Sequence, residues 1–96
     1  MSVKATVNTT TETKTVIILE NHRQHTIGAV VSGGYILIEA RVPGGDFEPV
    51  MDADTDAPLH ITGTESVTIE EVSVEAIRFT PVGATYSACV TSQAAD

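Results

Sequence analysis

The residues that come closest to a chemical motif are three aspartates at alternate positions, Asp52, Asp54 and Asp56. Carboxylates with this spacing resemble the opening of a Ca²⁺ site, because Ca²⁺ is a hard cation that binds roughly six to eight oxygen atoms. An EF-hand is excluded, since Ala57 stands where its turn glycine belongs and Gly63 where its bidentate glutamate belongs. The remaining interpretations are a calcium site in a β-loop, for which the signal is weak, and a solvated acidic turn, which the pattern favours.

Histidines and paired acids give no stronger motif. His22 and His25 have a spacing that can serve Zn²⁺, but no third ligand lies in register, so we interpret both as exposed histidines of a polar loop. Glu70 and Glu71 are adjacent in a predicted strand, so they face opposite ways and cannot converge on one substrate atom. The chain contains no Gly-x-Ser-x-Gly, phosphate-loop or His-Glu-x-x-His motif. We therefore predict a protein without enzymatic activity, cofactor or bound metal.

The charge of the chain is strongly negative and unevenly distributed. The net charge is −8. Residues 1–45 contain four basic and three acidic residues, a net +1, whereas residues 46–96 contain one basic and ten acidic residues, a net −9. Nucleic acids and anionic membranes are predicted not to be partners, because both bind through positive protein charge. No run approaches the ~20 apolar residues of a membrane span, and no signal-peptide pattern precedes the domain, so we expect synthesis in a cytoplasm.

The elements that must position these side chains follow from period-two alternation. The clearest stretch is Gly33 to Val50, in which Ile36, Ile38, Ala40 and Val42 share one face of a strand. A Pro-Gly-Gly-Asp turn follows, so the stretch is predicted to be a β-hairpin and the central pair of the domain. Seven or eight short strands, spaced by roughly 8–12 residues, predict an all-β fold. The predicted architecture is a single antiparallel β-sandwich or jelly-roll-like domain.

The chain divides into three predicted parts. Residues 1–14 are rich in threonine and form either an edge strand or an N-terminal arm that orders against a neighbour. Residues 15–92 form the β-sandwich domain, and residues 93–96 are a polar tail. The chain has four aromatic residues, of which at least two are expected in the core, so that core must be largely aliphatic. Because such a core is thin, we expect a partner subunit to complete it.

Two stretches carry a resemblance to a known family. One is Tyr-Ile-Leu-Ile-Glu-Ala-Arg-Val-Pro-Gly-Gly-Asp-Phe-Glu-Pro-Val-Met-Asp, residues 35–52, and the other is Val-Glu-Ala-Ile-Arg-Phe-Thr-Pro, residues 74–81. Their order of strand, turn and returning strand resembles small β-sandwich virion accessory proteins of tailed bacteriophages, of the decoration or cement type. It also looks like galactose-binding-like jelly rolls. The likeness covers residues 33–92 and leaves the N-terminal third without a match.

This resemblance implies a structural virion protein that decorates and reinforces a bacteriophage capsid through protein–protein contacts. The implied partners are the major capsid protein or another virion protein and further copies of the chain, and the implied location is the virion after synthesis in the bacterial host. Predicted contact residues are outward apolar positions, the arm, and two arginines able to pair with a neighbour's acidic face. They are Val3, Ala5, Val7, Tyr35, Leu37, Phe47, Arg23 and Arg41.

Two alternative functions remain open from the sequence. One is a tail or head–tail accessory protein, which differs from a decoration protein in location and ring symmetry. The other is a carbohydrate-binding adhesion module. Sugar-binding platforms present flat aromatic faces, and the small number of aromatic residues disfavours the adhesion module.

Overall fold

The computed structural model describes residues 2–17, 24–52, 54–70 and 74–93, and this part of the chain is all-β. The described residues form nine strands and no helix. The strands are β1 (Ser2–Thr10), β2 (Lys14–Ile17), β3 (Gln24–Arg41), β4 (Glu48–Pro49), β5 (Met51–Asp52), β6 (Ala57–Pro58), β7 (His60–Ile61), β8 (Thr64–Glu70) and β9 (Ala76–Gln93). The predicted fold class, an antiparallel all-β domain, is confirmed.

Two long strands form the centre of the fold. β3 and β9 contain 18 residues each and pair antiparallel from Gln24↔Gln93 to Arg41↔Ala76 in one register. β1 and β2 pair with the other side of β9, whereas β8, β7 and β4 pair in turn with the other side of β3. These seven strands make one sheet, and β5 and β6 form a separate two-stranded hairpin.

The hairpin predicted to be the central pair is present but peripheral. β3 pairs with β4 through Glu39↔Pro49 and Ala40↔Glu48, after a turn that includes Gly44 with a φ of 82°. The central pair is instead β3 with β9, two strands that lie far apart in sequence. The prediction that this hairpin is central was wrong because local alternation identifies a strand without identifying its main partner.

The strands are longer than predicted because two glycine-containing segments lie inside them. The sequence predicts strand ends at Gly33-Gly34 and at Pro81–Gly83, yet β3 and β9 pair on both sides of these segments. A methyl group on Gly34 would overlap the Val82 carbonyl oxygen, and one on Gly33 would lie 2.7 Å from the Gly83 carbonyl oxygen. The two backbones can therefore approach closely here only because side chains are absent.

The sheet folds over along this line of glycines. The rings of Phe79 and Tyr86, both in β9, have centroids 6.1 Å apart, although residues seven apart in a straight strand are separated by about 23 Å. The longest dimension of the protein is 36 Å, against about 59 Å for a straight strand of 18 residues. Two halves of one sheet therefore pack face to face, giving a small β-sandwich-like domain.

We name the two halves by the residues of their outer faces. The Thr half-sheet consists of β1, β8, residues 24–32 of β3 and residues 84–93 of β9. The Arg half-sheet consists of β2, β4, β7, residues 35–41 of β3 and residues 76–82 of β9.

The buried side chains switch between odd-numbered and even-numbered positions where the sheet bends. The buried side chains of β3 are odd-numbered up to residue 31 and even-numbered from residue 36. In β9 residues 77 and 79 are buried before the bend and the even-numbered residues 84 to 92 after it, while Ala76 at the start of the strand is also buried. A regular strand cannot do this, because its side chains alternate strictly between faces. Gly33 and Gly83 have φ values of 102° and 63°, a left-handed backbone that glycine adopts at little cost. These two residues let both half-sheets turn their apolar side chains inward.

One hydrophobic core fills the space between the half-sheets. It is predominantly aliphatic, as the composition predicts, and Phe79 and Tyr86 are its aromatic members. Its buried residues are Val7, Val16, Ile27, Ala29, Val31, Ile36, Ile38, Ile61, Ile69, Val74, Ile77, Phe79, Ala84, Tyr86, Ala88 and Val90. Burial of each large side chain contributes roughly 1.5–3 kcal/mol, so this core is the main source of stability.

Candidate interaction surface

A ring held between two guanidinium groups stands at the outer face of the Arg half-sheet. Phe47, in the loop between β3 and β4, lies with its centroid 4.9 Å from the Arg41 Cζ and 4.2 Å from the Arg78 Cζ. Both distances are within the range of a cation–π interaction, which contributes about 0.5–1 kcal/mol at a partly exposed site. The two arginines come from β3 and β9, so Phe47 ties the loop to both central strands.

Each of these arginines is held by a carboxylate. Arg41 Nε donates a 2.8 Å hydrogen bond to Glu75 Oε2, and Arg78 donates through Nε and Nη2 to Glu39 Oε1 at 3.0 Å. Glu39 and Arg78 are directly opposite in the β3–β9 register, which favours this pair. All four side chains are half-buried, so solvent screens the ion pairs and their main effect is to orient the guanidinium planes.

The same face continues with apolar and aromatic groups toward the glycine bend. Tyr35 and His60 make an edge-to-face ring contact with centroids 5.4 Å apart. Leu37 follows Tyr35 on the same face of β3 and is paired with His60 on β7 and with Thr80 on β9. Val82, opposite Tyr35, is 40% exposed. The structure therefore places four of the predicted contact residues, Tyr35, Leu37, Arg41 and Phe47, on one outer face.

We call this outer face, centred on Tyr35, Leu37, Arg41, Phe47 and Arg78, the β3 outer face. Tyrosine and arginine are the residue types that most often dominate protein–protein binding energy, because they combine a large contact area with directed hydrogen bonds. The charges on this face are paired within it, so it presents little net charge. Its chemistry therefore suits recognition of another protein surface.

The contact residues predicted in the N-terminal segment have different positions. Val7 is 8% exposed and belongs to the core, and Ala5 is half-buried and packs against that core. The prediction that Val7 contacts a partner was therefore wrong for the folded chain. Val3 pairs with Ser92 in the β1–β9 ladder, so residues 2–10 form an edge strand of the main sheet. Arg23, like His22, lies outside the described residues.

The three aspartates of the acidic loop connect β5 to β6 in the small hairpin. Asp52 Oδ1 accepts a 2.9 Å hydrogen bond from the Asp54 backbone N–H, and the Asp52 carbonyl oxygen accepts one from the Asp56 N–H at 2.8 Å. Asp56 has a φ of 54°, so it supplies the left-handed residue of this turn. Within the described residues no group of three potential ligands is placed to hold a metal ion. The solvated acidic turn, which the sequence favours, and the weaker calcium alternative both stay predictions, and thermal melts with and without calcium would distinguish them.

His25 is buried, contrary to the exposed loop position predicted for it. It is 0% exposed, and its Nδ1 lies 2.7 Å from the Ser92 Oγ, across the β3–β9 pair. The interpretation of His25 as an exposed loop histidine was therefore wrong. The signal was available, because residues 25, 27, 29 and 31 continue one period-two pattern, with the histidine as its first member.

The two buried aromatic rings are unavailable to any external ligand. Tyr86 is 1% and Phe79 0% exposed. The Tyr86 hydroxyl donates a 2.9 Å hydrogen bond to the Glu12 carbonyl oxygen, which fastens the turn between β1 and β2 to the core. Burial, assisted by the negative charge of Glu12, raises the pKa of Tyr86 above its ordinary value.

The outer face of the Thr half-sheet has a different chemistry. Short hydroxyl side chains dominate it, and Thr9 Oγ1 and Ser87 Oγ form a 2.8 Å hydrogen bond between β1 and β9. Val30 is 55% exposed, and the single cysteine, Cys89, is half-buried. A shallow concavity of about 540 Å³ crosses β1, β9 and β3 on this face. None of these groups forms a charged or nucleophilic cluster.

Comparisons with known proteins identify a shared fold. No family model and no curated protein matches this sequence. Among solved structures, the chain is similar to the crystal structure of the SPBc2 prophage-derived protein YomS, with a TM-score of 0.61 and 9% sequence identity. The match covers 97% of this chain and 96% of that chain. The two proteins therefore share one fold over their whole length. The described residues contain no helix suited to crossing a membrane.

Proposed function

We propose that this protein is a non-enzymatic structural protein of a bacteriophage, which decorates and reinforces the capsid through protein–protein contacts. The observation that supports it most is the whole-chain similarity in fold to a prophage-derived protein. The β3 outer face supports it independently, because that face offers a partly exposed tyrosine, two oriented arginines and apolar groups. The proposed partner is the major capsid protein or another virion protein, and the proposed location is the virion.

A carbohydrate-binding role receives less support from the positions of the aromatic rings. Phe79 and Tyr86 are in the core, and the Phe47 ring lies against two guanidinium groups. Tyr35 is the remaining ring that could stack on a sugar, and it already contacts His60. A single ring of this kind does not make the flat platform that such modules present.

Immunogold electron microscopy of purified particles from the encoding phage or prophage tests the location. We expect gold on the heads of intact particles. Gold confined to the tail would favour the tail or head–tail alternative. Absence of the protein from purified particles, with the protein present elsewhere in the lysate, would overturn the virion assignment.

Binding of purified protein to particles that lack it tests the surface. The double variant Tyr35→Ser, Leu37→Ser should weaken binding by at least about tenfold, because it removes an aromatic anchor and its apolar neighbour. Val30→Ser is the matched control, since it removes an exposed apolar side chain from the outer face of the Thr half-sheet. Equal losses for both variants would contradict the assignment of the β3 outer face as the contact.

A further inference from the structure

The outer face of the Thr half-sheet carries an exposed apolar side chain next to an open position. Gly28 and Val30 lie two residues apart on β3, so both face outward. Val30 is 55% exposed, and a methyl group on Gly28 would meet no atom within 4 Å. Both residues line the shallow concavity on this face. The face therefore has a projecting valine and, beside it on the same strand, a gap that no side chain fills.

The strand register extends these two positions into two rows across β8, β3 and β9. We call the two rows together the Gly28 surface. The first row contains Ser66, Gly28 and Cys89, and the second contains Thr64, Val30 and Ser87. Apart from Val30 these side chains are small, so a second sheet can stack on the surface at or below the usual distance of about 10 Å.

The lack of charge on the Gly28 surface suits a second copy of the chain. The net charge is −8, so copies repel one another and must make contact where acidic side chains are absent. All six side chains of the Gly28 surface are uncharged. The outer face of the Arg half-sheet, by contrast, carries two arginines and two glutamates. Hydroxyl groups both donate and accept hydrogen bonds, so a surface rich in serine and threonine is also complementary to itself.

Stacking two copies about a two-fold axis fits the valine of each copy into the gap of the other. An axis between the two faces, crossing the strands at the level of residue 29, reverses the strand direction and exchanges positions 28 and 30. Val30 of each copy then lies over Gly28 of the other, and Ser87 lies over Cys89, because these residues are paired with Val30 and Gly28 in the register. An axis along β3 would instead set valine against valine and leave a void between the two glycines. The crossing axis is therefore the one that fills the gap at Gly28.

The size of the face indicates a weak and reversible contact. β1, β9, β3 and β8 lie side by side in the Thr half-sheet. Four strands, each of seven residues between the levels of residues 26 and 32, cover about 450 Å² of each copy, or about 900 Å² in total. Interfaces of this size lie at the low end for specific complexes, where association is weak. We therefore expect a dimer that dissociates on dilution.

We propose that this protein forms a two-fold symmetric dimer through the Gly28 surface, with Val30 of each copy packed over Gly28 of the other. The contact uses the same surface on both partners, so the assembly closes at two subunits. This inference goes beyond the proposed capsid role, because it concerns the purified protein alone. It leaves the β3 outer face of both copies available, since that face lies on the opposite side of the domain.

Light scattering over a concentration series of about 5–500 μM tests the contact. We expect the wild-type mass to rise from one subunit toward two. Gly28→Val should raise the dissociation constant by at least about tenfold, because it sets valine against valine at both contacts. Val30→Gly should raise it by a similar factor of about ten, because it removes the apolar side chain and leaves glycine opposite glycine.

Mixing these two variants tests the geometry itself. In a dimer of one Gly28→Val chain and one Val30→Gly chain, each contact again sets a valine against a glycine. We expect the equimolar mixture to associate with an affinity close to that of wild type, although neither variant does so alone. Tyr35→Ser with Leu37→Ser is the control on the opposite outer face and should dimerise as wild type does. Circular dichroism confirms that every variant is folded.

The single thiol reports on the same contact in the unmodified sequence. Cys89 is half-buried, and in the proposed dimer it is covered by Ser87 of the other copy. Its alkylation by iodoacetamide should therefore slow as the protein concentration rises, in parallel with the mass. This readout does not depend on the folding of any variant.

Four results would each overturn the proposal. They are a mass of one subunit at every concentration, a mass beyond two subunits, a mixture of the two variants that stays monomeric, and a dimer in which Cys89 is alkylated as fast as in the monomer. A weak dimer is dissociated at the submicromolar concentrations suited to particle binding. Loss of particle binding and loss of the dimer are therefore separate results.

Discussion

The two half-sheets share their central strands and their core but differ on the outside. The outer face of the Thr half-sheet consists mainly of short hydroxyl side chains, and its only strongly exposed apolar residue among those described is Val30. The outer face of the Arg half-sheet carries two rings, two arginines and their carboxylate partners. The same sheet therefore presents small hydroxyl side chains on one side of the bend, and aromatic rings with paired charges on the other.

This difference separates two ways of making contacts. The Arg half-sheet offers oriented side chains, which suit recognition of a particular partner surface. The Thr half-sheet offers mainly short hydroxyl side chains and, among the described residues, the backbone edges of β1 and β8, which suit pairing with another strand. β3 and β9 run through both halves, so both kinds of contact lie on the same pair of strands.

The largest expected effect is at the bend that creates the two halves. Gly34→Ala would place a methyl group on the Val82 carbonyl oxygen, a backbone atom that cannot move aside without opening the β3–β9 pair. We expect the free energy of unfolding to fall by about 3 kcal/mol or more. Urea denaturation followed by circular dichroism measures this change.

Gly28→Ala is the matched control for the bend. Gly28 lies in the same strand, within the Thr half-sheet, and a methyl group there would meet no atom within 4 Å. We expect stability to be unchanged or raised by about 0.5 kcal/mol, because alanine is less flexible than glycine in the unfolded chain. Similar losses for both variants would contradict the role of the bend.

A smaller effect is expected at the outer face of the Arg half-sheet. Phe47→Leu keeps an apolar side chain but removes the ring face that contacts Arg41 and Arg78. We expect a loss of about 1–2 kcal/mol in the free energy of unfolding, the sum of two cation–π contacts. In a background with both arginines changed to glutamine the same substitution should cost much less, and an undiminished cost would show that the ring acts only through its volume.

The hydrogen bond between the core and the β1–β2 turn should contribute to the free energy of unfolding about as much as a typical single hydrogen bond. Tyr86→Phe removes the hydroxyl that donates to the Glu12 carbonyl oxygen. We expect the free energy of unfolding to fall by about 1 kcal/mol at neutral pH. Chemical denaturation at pH 7 provides the measurement, and no change would mean that water replaces the hydroxyl.

The same residue predicts a pH dependence with a definite sign. Burial raises the pKa of Tyr86 in the folded state above 10.0, its ordinary value. The unfolded chain therefore loses this proton first as the pH rises, and the stabilisation present below pH 10 declines above it. Wild type should lose more stability than Tyr86→Phe between neutral and strongly alkaline pH, and equal losses would contradict the prediction.

The smallest effect is expected on the outer face of the Thr half-sheet. Val30→Thr replaces a side chain that is 55% exposed with one of similar shape and high strand propensity. We expect a change within about 0.5 kcal/mol. A loss comparable to that of Phe47→Leu, measured in the same urea titration, would remove the contrast between the two outer faces.

Much of the β3 outer face follows from local pattern. Alternation along β3 predicts that Leu37, Glu39 and Arg41 point to one face of the strand and that Ile36 and Ile38 point to the other. The burial of these residues in the structure agrees. The partners of these residues do not follow from the same pattern. Arg78 lies 39 residues from Glu39, and Glu75 lies 34 residues from Arg41. No short-range signal in the sequence joins positions so far apart, so the ring between two arginines was not predictable.

The wrong prediction for His25 has a different cause. Its polar side chain suggested an exposed loop, although its position fits the period-two pattern of a buried strand. Its position continues the buried series of β3, and Ser92 is available opposite it in the register. A buried histidine needs such a hydrogen-bonding partner, and that partner is 67 residues away in the chain. Composition alone therefore favoured an exposed loop.

Composition and local pattern are enough to predict the all-β class, the largely aliphatic core and the faces of individual strands, because side-chain alternation is a property of neighbouring residues. That Gly33-Gly34 and Pro81–Gly83 lie side by side, that the sheet folds there, and that β1 and β8 are its edges depends on long-range strand pairing. Glycine marks equally a strand end, a turn or a close approach of backbones. The strand that pairs with a glycine-containing segment determines which of these three roles the glycine has. Pairing between distant strands depends in turn on the free energy of the whole fold.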